Sequence, residues 1–409
     1  MKYGKRILVI SHGHPDIKKG GAEVASYNFF KELESRGEDA FYLACSEQLP
    51  HGGTSFSAHN SSREILFHTK IEDGFLYSNY VSRALWKEFK DLLEILSPDV
   101  IHFHHYVGMG IEALEVARRT LANVKIVLTL HEYLAICHNK GLMIKTNSAL
   151  CYRASPKDCS SCFPDKSPAD FFLREKYIKR ILNNVDKFIA PSNFLKNRYV
   201  EWGIDETKIS VIENGLSTST ISTKLNIGGE DRIRFAFFGQ LNPNKGVEIL
   251  LEAISKLPKK IQRKAIFDIY GANLSFQPSL FQERISELLE KLKNIVSYHG
   301  AYEQDMMSKL ISRTDWVIVP STWWENSPMV IQEAFQHKVP VIVSDIGGMA
   351  EKVEHGKTGL HFMTGSSVDL VDVITYAVNN HSNRKEFVDA IDERLSVKQV
   401  VEQHFVLYG

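Results

Sequence analysis

The sequence predicts an α/β protein made of two doubly wound domains, and two patterns carry this prediction. Short, almost wholly apolar runs recur through both halves of the chain, and each precedes a segment with helical periodicity. Continuous apolar strands that alternate with helices are typical of a parallel sheet covered on both faces. A stretch rich in serine, threonine and glycine, residues 214–232, separates the halves and is predicted to be a linker.

The predicted elements follow in the same order in each half. Strands of the first half cover residues 6–11, 39–45, 99–104, 124–130 and 186–190. Strands of the second half cover residues 234–239, 266–271, 295–300, 315–320 and 340–344. We therefore expect an N-terminal domain over residues 1–213, with a cysteine-rich insertion at 132–170, and a C-terminal domain over residues 233–385. Residues 386–409 are predicted to form a helical segment that packs back on the N-terminal domain.

The length and charge of the chain limit the classes of protein to which it can belong. The 409 residues suffice for two cores of ordinary size. Lys and Arg together number 49, as do Asp and Glu, so no overall field favours nucleic acid. The first apolar run is too short for a signal peptide, and no later run reaches the roughly 18 residues of a spanning helix, so we expect a cytoplasmic protein. Five cysteines in that compartment are expected to be free thiols or metal ligands.

Three strand-to-helix junctions combine glycine with polar residues. They read "SHGHPDIKKGGAE" with Gly20 and Gly21, "FFGQLNPNKG" with Gln240 and Lys245, and "SDIGGMAE". Ligands of open parallel sheets bind beyond the carboxyl ends of the strands, and glycine lets backbone N–H groups approach a phosphate or a sugar. Each junction taken singly is equally consistent with a simple turn requirement.

The stretch "WWENSPMVIQEAF" places two glutamates eight residues apart around a predicted helix start. Asn326 and Ser327 are favoured N-cap residues and Pro328 suits the first helical position, so Glu325 is expected in the loop and Glu333 in the helix. At a rise of about 1.5 Å per residue they are roughly 12 Å apart, too far to act on one bond. The free N–H groups of the helix start, which lies between the two glutamates, can bind a phosphate group. The alternative is that Glu325 is only a charge in a loop and Glu333 only part of an ion pair at the edge of the helix.

Together, "GGAE", "FFGQLNPNKGVEILLEA" and "VPSTWWENSPMVIQEAFQHKVPVIVSDIGGMAEKVEHGKTGL" resemble the retaining GT-B glycosyltransferases of the group-1 type, relatives of glycogen and sucrose synthases. The resemblance covers nearly the whole chain in order and is most specific over residues 319–360. It implies two Rossmann-like domains that face each other across a cleft. It also implies transfer of a sugar from a nucleotide-diphosphate sugar to a hydroxyl of a glycan or lipid-linked acceptor, with the anomeric configuration kept.

The same resemblance implies a role for individual residues. Glu333 would hold the ribose hydroxyls, Glu325 the hydroxyls of the donated sugar, and Lys245 the departing diphosphate. The implied catalytic residues are His131, Lys245 and Glu325, with His131 lining the sugar site. The implied donor site comprises Gly20, Gly21, Gln240, Lys245, Glu325, Asn326, Ser327, Met329, Val330 and Glu333.

Two positions depart from the family pattern. Gln240 stands where the family commonly has arginine, which removes one cation, so either Lys245 carries more of the charge or another basic residue enters the cleft. Asn326 with Ser327 replaces a glycine–aromatic pair, which we interpret as a change in sugar specificity. No Asp-x-Asp motif follows a strand, so no metal or other cofactor is expected in catalysis. Retention in this family is explained by same-face attack, in which the leaving phosphate takes the acceptor's proton, and no protein general base is assigned.

Two further groups of residues remain open to interpretation. His102, His104 and His105 end a predicted strand; His104 and His105 are expected to line the acceptor side, and a metal site is the alternative. Four cysteines fall inside the insertion with the spacing C-x13-C-x7-C-x2-C. They suit a structural zinc ion or an iron–sulfur cluster, or are free thiols or one disulfide. These are Cys137, Cys151, Cys159 and Cys162.

The segment 170–185 is predicted to be an amphipathic helix. Its predicted apolar stripe consists of Leu173, Ile178, Ile181, Leu182 and Val185, and its basic face consists of Lys176, Lys179 and Arg180. A solvated helix on the outside of a sheet explains this pattern, and weak docking to an anionic membrane, at the inner face, is the alternative.

Two other functions are considered for the whole chain. A nucleotide-sugar-binding protein without transfer activity is one, and a nucleotide-dependent oxidoreductase, which lacks its G-x-G-x-x-G motif here, is the other.

Overall fold

The structure is a computed structural model. It describes residues 4–18, 20–48, 54–79, 82–216 and 232–409. The chain divides into two compact units, the first made of Met1–Ser217 with Leu395–Gly409 and the second of Thr218–Arg394. Most of the predicted linker lies outside the described residues. The second unit runs to Arg394, beyond the predicted domain boundary at residue 385.

The first unit is built on a sheet of mostly parallel strands. Its strands are β1 Ile7–Ser11, β2 Ala40–Ser46, β3 Phe56–His59, β4 Ser61–His68, β5 Val100–Phe103, β6 Lys125–Thr129, β7 Lys187–Ala190 and β8 Ile209–Val211. Its first helices are α1 Gly21–Ser35, α2 Arg83–Leu96, α3 Ala113–Thr120, α4 Pro156–Cys162, α5 Pro168–Leu182 and α6 Asn193–Trp202. The strand order is β3-β4-β2-β1-β5-β6-β7-β8, with β3 antiparallel to β4. β1 lies at the centre and is wholly buried, so its carboxyl end adjoins those of β2 and β5.

The second unit is built on an all-parallel sheet. Its strands are β9 Ile233–Phe238, β10 Ala265–Tyr270, β11 Val296–Gly300, β12 Trp316–Val319, β13 Val341–Ser344 and β14 Gly359–Phe362, in the order β11-β10-β9-β12-β13-β14. Its helices are α7 Val247–Lys256, α8 Lys259–Gln262, α9 Ser279–Leu292, α10 Met307–Ile311, α11 Met329–Gln336, α12 Gly347–Lys352, α13 Ser367–Asn379 and α14 Arg384–Ala390. Phe235 and Phe237 pack in one apolar cluster, and Ala236 and Phe238 pack in another. Because successive side chains of a strand point to opposite faces, both faces of this sheet are covered.

The last helix, α15 Val397–Tyr408, belongs to the first unit. Val397, Val400 and Val401 join the apolar cluster that contains the β1 residues. The hydroxyl of Tyr408 lies 2.7 Å from Nδ1 of His102, whose other ring nitrogen lies 2.7 Å from Thr129. His102 is therefore tied into the core between the sheet and α15.

Every strand predicted from the sequence is present, with ends displaced by one or two residues at most. The prediction missed β3, β4, β8 and β14, because three of them have only three or four residues and β4 begins with exposed polar side chains. The insertion at 132–170 contains the helix α4.

The amphipathic helix begins earlier than predicted and buries a different stripe. α5 starts at Pro168, because Ser167 and Asp170 form a capping box. Leu173, predicted to be buried, is 62% exposed, whereas Arg174 is buried and donates to the carbonyls of Phe75, Leu134 and Ala135. The buried face therefore includes a fully hydrogen-bonded arginine that periodicity did not predict.

Candidate active site

Helix α11 of the second unit begins at Met329, and Pro328 occupies its N-cap position. The predicted start was therefore one residue early, since neither Asn326 nor Ser327 is the N-cap. Glu325 lies in the loop and Glu333 lies inside the helix, as predicted. Val330, with Met329, forms the half-buried first turn.

Glu325 is a buried carboxylate with three donors on one oxygen. Its Oε1 accepts from Lys245 Nζ at 2.5 Å, from Ser321 Oγ at 2.9 Å and from Trp323 Nε1 at 2.9 Å. Lys245 follows β9 and Ser321 follows β12, and these strands are neighbours in the sheet. The carboxyl ends of two adjacent strands thus bring a lysine and a glutamate together beside the start of α11.

Two glycines allow the backbone of this loop to close around the pair. Gly246 has φ +70°, and a Cβ there would lie 1.8 Å from the carbonyl oxygen of Pro320. A Cβ on Gly348 would lie 1.8 Å from the carbonyl oxygen of Asn326, while the Gly348 N–H donates to the Glu325 carbonyl at 2.6 Å. Both positions therefore require glycine for close approach of two backbone segments.

Two further predicted residues, Gln240 and Ser327, lie in the loops that carry Lys245 and Glu325. Asn242 Oδ1 accepts from the Lys245 N–H at 3.1 Å and so fixes the turn that carries the lysine, while Gln240 is exposed at the start of that turn. Ser327 Oγ accepts from Gln332 at 2.9 Å. Burial and the nearby charge of Glu333 raise the pKa of Tyr302.

In the first unit, five polar side chains gather after β1, β5 and β6. His104 Nδ1 lies 3.2 Å from His131 Nε2, and His105 Nε2 lies 2.8 Å from a Glu132 oxygen. The rings of His12 and His105 are 4.5 Å apart. The structure thus brings the predicted His104, His105 and His131 together, whereas His102 faces the core.

Burial lowers the pKa of His12, His104 and His131. It lowers the pKa of His131 to about 3, with repulsion from His105 acting in the same direction. It also lowers the pKa of His104 well below its usual value. Burial raises the pKa of Glu132, but the charge and hydrogen bond of His105 outweigh it, and the net pKa is lowered. Glu132 is therefore a carboxylate, and His104 and His131 are neutral imidazoles that can hold a ligand by hydrogen bonds rather than by positive charge.

The glycine pair after β1 opens helix α1, as predicted. Gly20 is the N-cap, and a Cβ there would lie 2.4 Å from a carboxylate oxygen of Glu23, whereas a Cβ on Gly21 would meet open space. Glu23 in turn lies 3.0 Å from His12. The sequence analysis did not single out Glu23, His12 or Glu132, although Glu23 and His12 stand in the quoted motif after β1 and Glu132 directly follows His131.

The four cysteines of the insertion are half-buried and form no disulfide bond. Burial, together with the nearby Cys137, Cys151 and Cys162, raises the pKa of Cys159 to about 11. Within the described part of the chain, neither these thiols nor the three strand-end histidines form a group of ligand atoms all within 4.8 Å of one another.

Two family descriptions together match most of the chain. Residues 219–394 match "Glycosyl transferases group 1", and residues 19–220 match "Glycosyltransferase Family 4". The chain belongs to the group 1 glycosyltransferases. Its two Rossmann-like units are those of the GT-B fold. In the described ranges, no helix of this glycosyltransferase has the length and apolar character needed to cross a bilayer.

Curated relatives match over different shares of their length. The lipopolysaccharide 1,2-N-acetylglucosaminetransferase of Salmonella typhimurium is 29% identical over 200 residues, which are 46% of this chain and 52% of the relative. The chain therefore spans about half of that protein. An uncharacterized 42.6 kDa protein in the cps region of Klebsiella pneumoniae is 22% identical over 98% of this chain and 99% of its own.

Solved structures share the fold over the full length. HepE of Anabaena in complex with UDP has a TM-score of 0.69 and 20% identity, covering 98% of this chain and 99% of its own. Sucrose-phosphate synthase from Thermosynechococcus elongatus has a TM-score of 0.71 and 17% identity, covering 99% and 98%. At these identities the likeness establishes the fold.

Proposed function

We propose that this glycosyltransferase moves a sugar from a nucleotide-diphosphate sugar to a hydroxyl of a glycan or lipid-linked glycan, with retention and without a catalytic metal ion. The observation that carries the proposal is the Lys245–Glu325 pair beside the start of α11. A lysine next to a helix N-terminus offers positive charge and free N–H groups to a diphosphate. Both stabilise the negative charge that develops on the leaving group.

In this proposal the residues of the second unit divide the donor between them. Lys245 has three N–H donors, so it can hold Glu325 and a phosphate oxygen at once. Glu325 then accepts from hydroxyls of the transferred sugar, and Glu333 accepts from the ribose. The other donor-site residues proposed in this unit are Gln240, Asn326, Ser327, Met329 and Val330, and Gly20 and Gly21 of the first unit are proposed to bind the donor as well.

The histidines of the first unit are proposed to position substrates rather than to transfer protons. With a pKa of about 3, His131 is neutral at physiological pH and carries no proton to donate as an imidazolium. We assign it to the sugar site, and His104 and His105 to the acceptor side. The acceptor's proton passes to the departing diphosphate, so no protein general base is needed.

The nature of the substrates is proposed from relatives. HepE was solved with UDP, so UDP is the first nucleotide to test. The Salmonella relative is a lipopolysaccharide glycosyltransferase, which supports an acceptor in a bacterial surface glycan.

The donor test is calorimetric titration with UDP, GDP, ADP, CDP and TDP, with and without EDTA. We expect one nucleotide to bind in either condition and its affinity to fall at least tenfold in Glu333→Ala. Glu287→Ala, an exposed glutamate of α9, is the matched control and should bind as wild type. Unchanged affinity in Glu333→Ala would refute the ribose role, and loss of binding with EDTA would refute metal independence.

The transfer test uses the matching nucleotide-sugar. Release of nucleoside diphosphate, together with NMR coupling constants that show the donor's anomeric configuration in the product, is the expected result. An inverted product would refute retention. Tight binding with neither hydrolysis nor transfer would favour the alternative, a nucleotide-sugar-binding protein without catalysis.

The cysteine cluster is proposed as a structural metal site, with zinc ahead of iron–sulfur. Four thiols within one insertion, two of them on α4, support this proposal. Metal analysis of the purified protein should give at least one equivalent, and Cys159→Ser with Cys162→Ser should lower the metal content by one equivalent and lower the melting temperature as well. Wild-type protein without zinc or iron would refute it.

Weak peripheral membrane contact through α5 is proposed as well. Phe172 and Leu173 are 50% and 62% exposed beside the exposed Lys176. Apolar side chains next to a cation suit the surface of an anionic bilayer. Co-sedimentation with anionic vesicles should fall in Phe172→Ser with Leu173→Ser, and equal sedimentation of that variant would refute the contact.

A further inference from the structure

A second polar cluster lies where the loop after β1 meets the β3–β4 hairpin. His59 Nε2 is 3.2 Å from Asp16 Oδ2, and His14 Nδ1 is 3.5 Å from the same oxygen. Across the described ranges, these side chains form the group of three His, Cys, Asp or Glu ligand atoms that all lie within 4.8 Å of one another. The roles proposed for the transfer reaction do not use them.

The hydrogen bonds of His14 set the tautomer that a metal ligand needs. Nδ1 accepts the backbone N–H of Asp16 at 3.2 Å, so Nδ1 is unprotonated, and a bound ion would replace this hydrogen bond. Nε2 then carries the proton and lies 3.3 Å from a carboxylate oxygen of Glu64, which is 2% exposed. A metal-bound histidine typically donates its other N–H to a carboxylate in this way, which orients the ring and raises its basicity.

The carboxylate of the cluster is held in place too. Asn60 occupies the hairpin turn with φ +48°, a left-handed conformation that asparagine tolerates. Its Nδ2 donates to Asp16 Oδ2 at 3.0 Å and to Glu64 at 3.3 Å. One side chain therefore orients both the candidate ligand and the acid behind His14.

We propose that His14, Asp16 and His59 bind a divalent transition metal ion, with zinc preferred, and that the ion fastens the loop after β1 to the β3–β4 hairpin. Two imidazoles and one carboxylate are ligands that zinc accepts, and three protein ligands leave a position for water. The Asp16 side chain is 53% exposed, so an ion reaches the cluster from solvent. The fastened loop leads into Gly20 and Gly21, so the ion would stiffen the entrance to α1.

The test is titration of EDTA-treated, dialysed protein with Co²⁺ and Zn²⁺. Co²⁺ at this cluster gives visible d–d absorption without a thiolate charge-transfer band, and Zn²⁺ raises the melting temperature. His59→Ala and Asp16→Asn should each weaken binding of the ion at least tenfold. These two positions have accessible side chains, so they are tested in place of the buried His14. His68→Ala removes an imidazole of the same hairpin that pairs with Ser57 instead, and should bind as wild type.

Two outcomes would overturn the proposal. One is equal affinity of wild type, His59→Ala and Asp16→Asn for both ions. The other is a single bound equivalent whose spectrum shows thiolate charge transfer and which is lost in Cys159→Ser with Cys162→Ser, because the ion would then lie at the cysteines. Neither outcome bears on the donor site, which is read separately by nucleotide binding.

Discussion

Removing either partner of the Lys245–Glu325 pair should destabilise the second unit, but by different amounts. The Glu325 side chain is 8% exposed, whereas that of Lys245 is 30% exposed. Lys245→Met leaves a buried carboxylate with only Ser321 and Trp323 as donors. Glu325→Gln leaves a lysine that water reaches and an amide oxygen that still accepts. We therefore expect the lysine substitution to cost more.

The magnitudes follow from the burial of the charge that remains. Breaking a buried ion pair by removing one partner costs about 3–5 kcal/mol, and partial exposure of the pair reduces this, so we expect about 2 kcal/mol for Lys245→Met. Loss of the charge on Glu325 weakens hydrogen bonds without orphaning them, so we expect about 1 kcal/mol for Glu325→Gln. The double variant should cost less than the sum, because neither charge is left alone.

Unfolding in urea is monitored by hydrogen–deuterium exchange of peptides from β9 and β12. Both strands belong to the second unit, so the exchange reports the stability of that unit alone. Arg284→Met breaks an exposed 2.7 Å pair with Glu252 and is the matched control, with an expected cost of about 0.5 kcal/mol or less. A cost for Glu325→Gln equal to or above that for Lys245→Met would refute the reasoning. Strict additivity in the double variant would refute it as well.

Two further predictions concern stability. Gly348→Ala should lower the free energy of unfolding by at least about 2 kcal/mol, because its Cβ would meet the Asn326 carbonyl at 1.8 Å. Gly21→Ala has open space around its Cβ and should change this free energy by no more than about 0.5 kcal/mol. Equal effects of the two substitutions in calorimetry would contradict this prediction. Stability should also fall on acidification. The folded-state pKa of His131 is about 3 against about 6.5 when unfolded, so the folded chain binds fewer protons between these values. The contribution of the neutral His131 to stability is complete above about pH 6.5 and is lost as the pH falls toward 3. His131→Asn should therefore reduce the slope of melting temperature against pH. An unchanged slope would show that other groups cause the acid sensitivity.

Much of the fold could be predicted because its signals are local. Apolar runs identified the long strands, and glycine and proline identified the junctions after them. The position of Glu325 before α11 and of Glu333 inside it followed from helix-start chemistry alone, with an error of one residue in the start. The short strands β8 and β14 were missed because three or four residues carry no periodicity.

The sequence by itself determined the order of the longer strands, the parallel character of the sheets and the junctions at which the proposed site residues stand. Only the tertiary structure decided which junctions meet. Lys245 and Glu325 are 80 residues apart and pair because β9 and β12 become neighbours. His14 reaches His59 because the hairpin folds beside β2 and β1. Strand order is set by how side chains from the whole sheet pack together, and no short stretch of sequence contains that information.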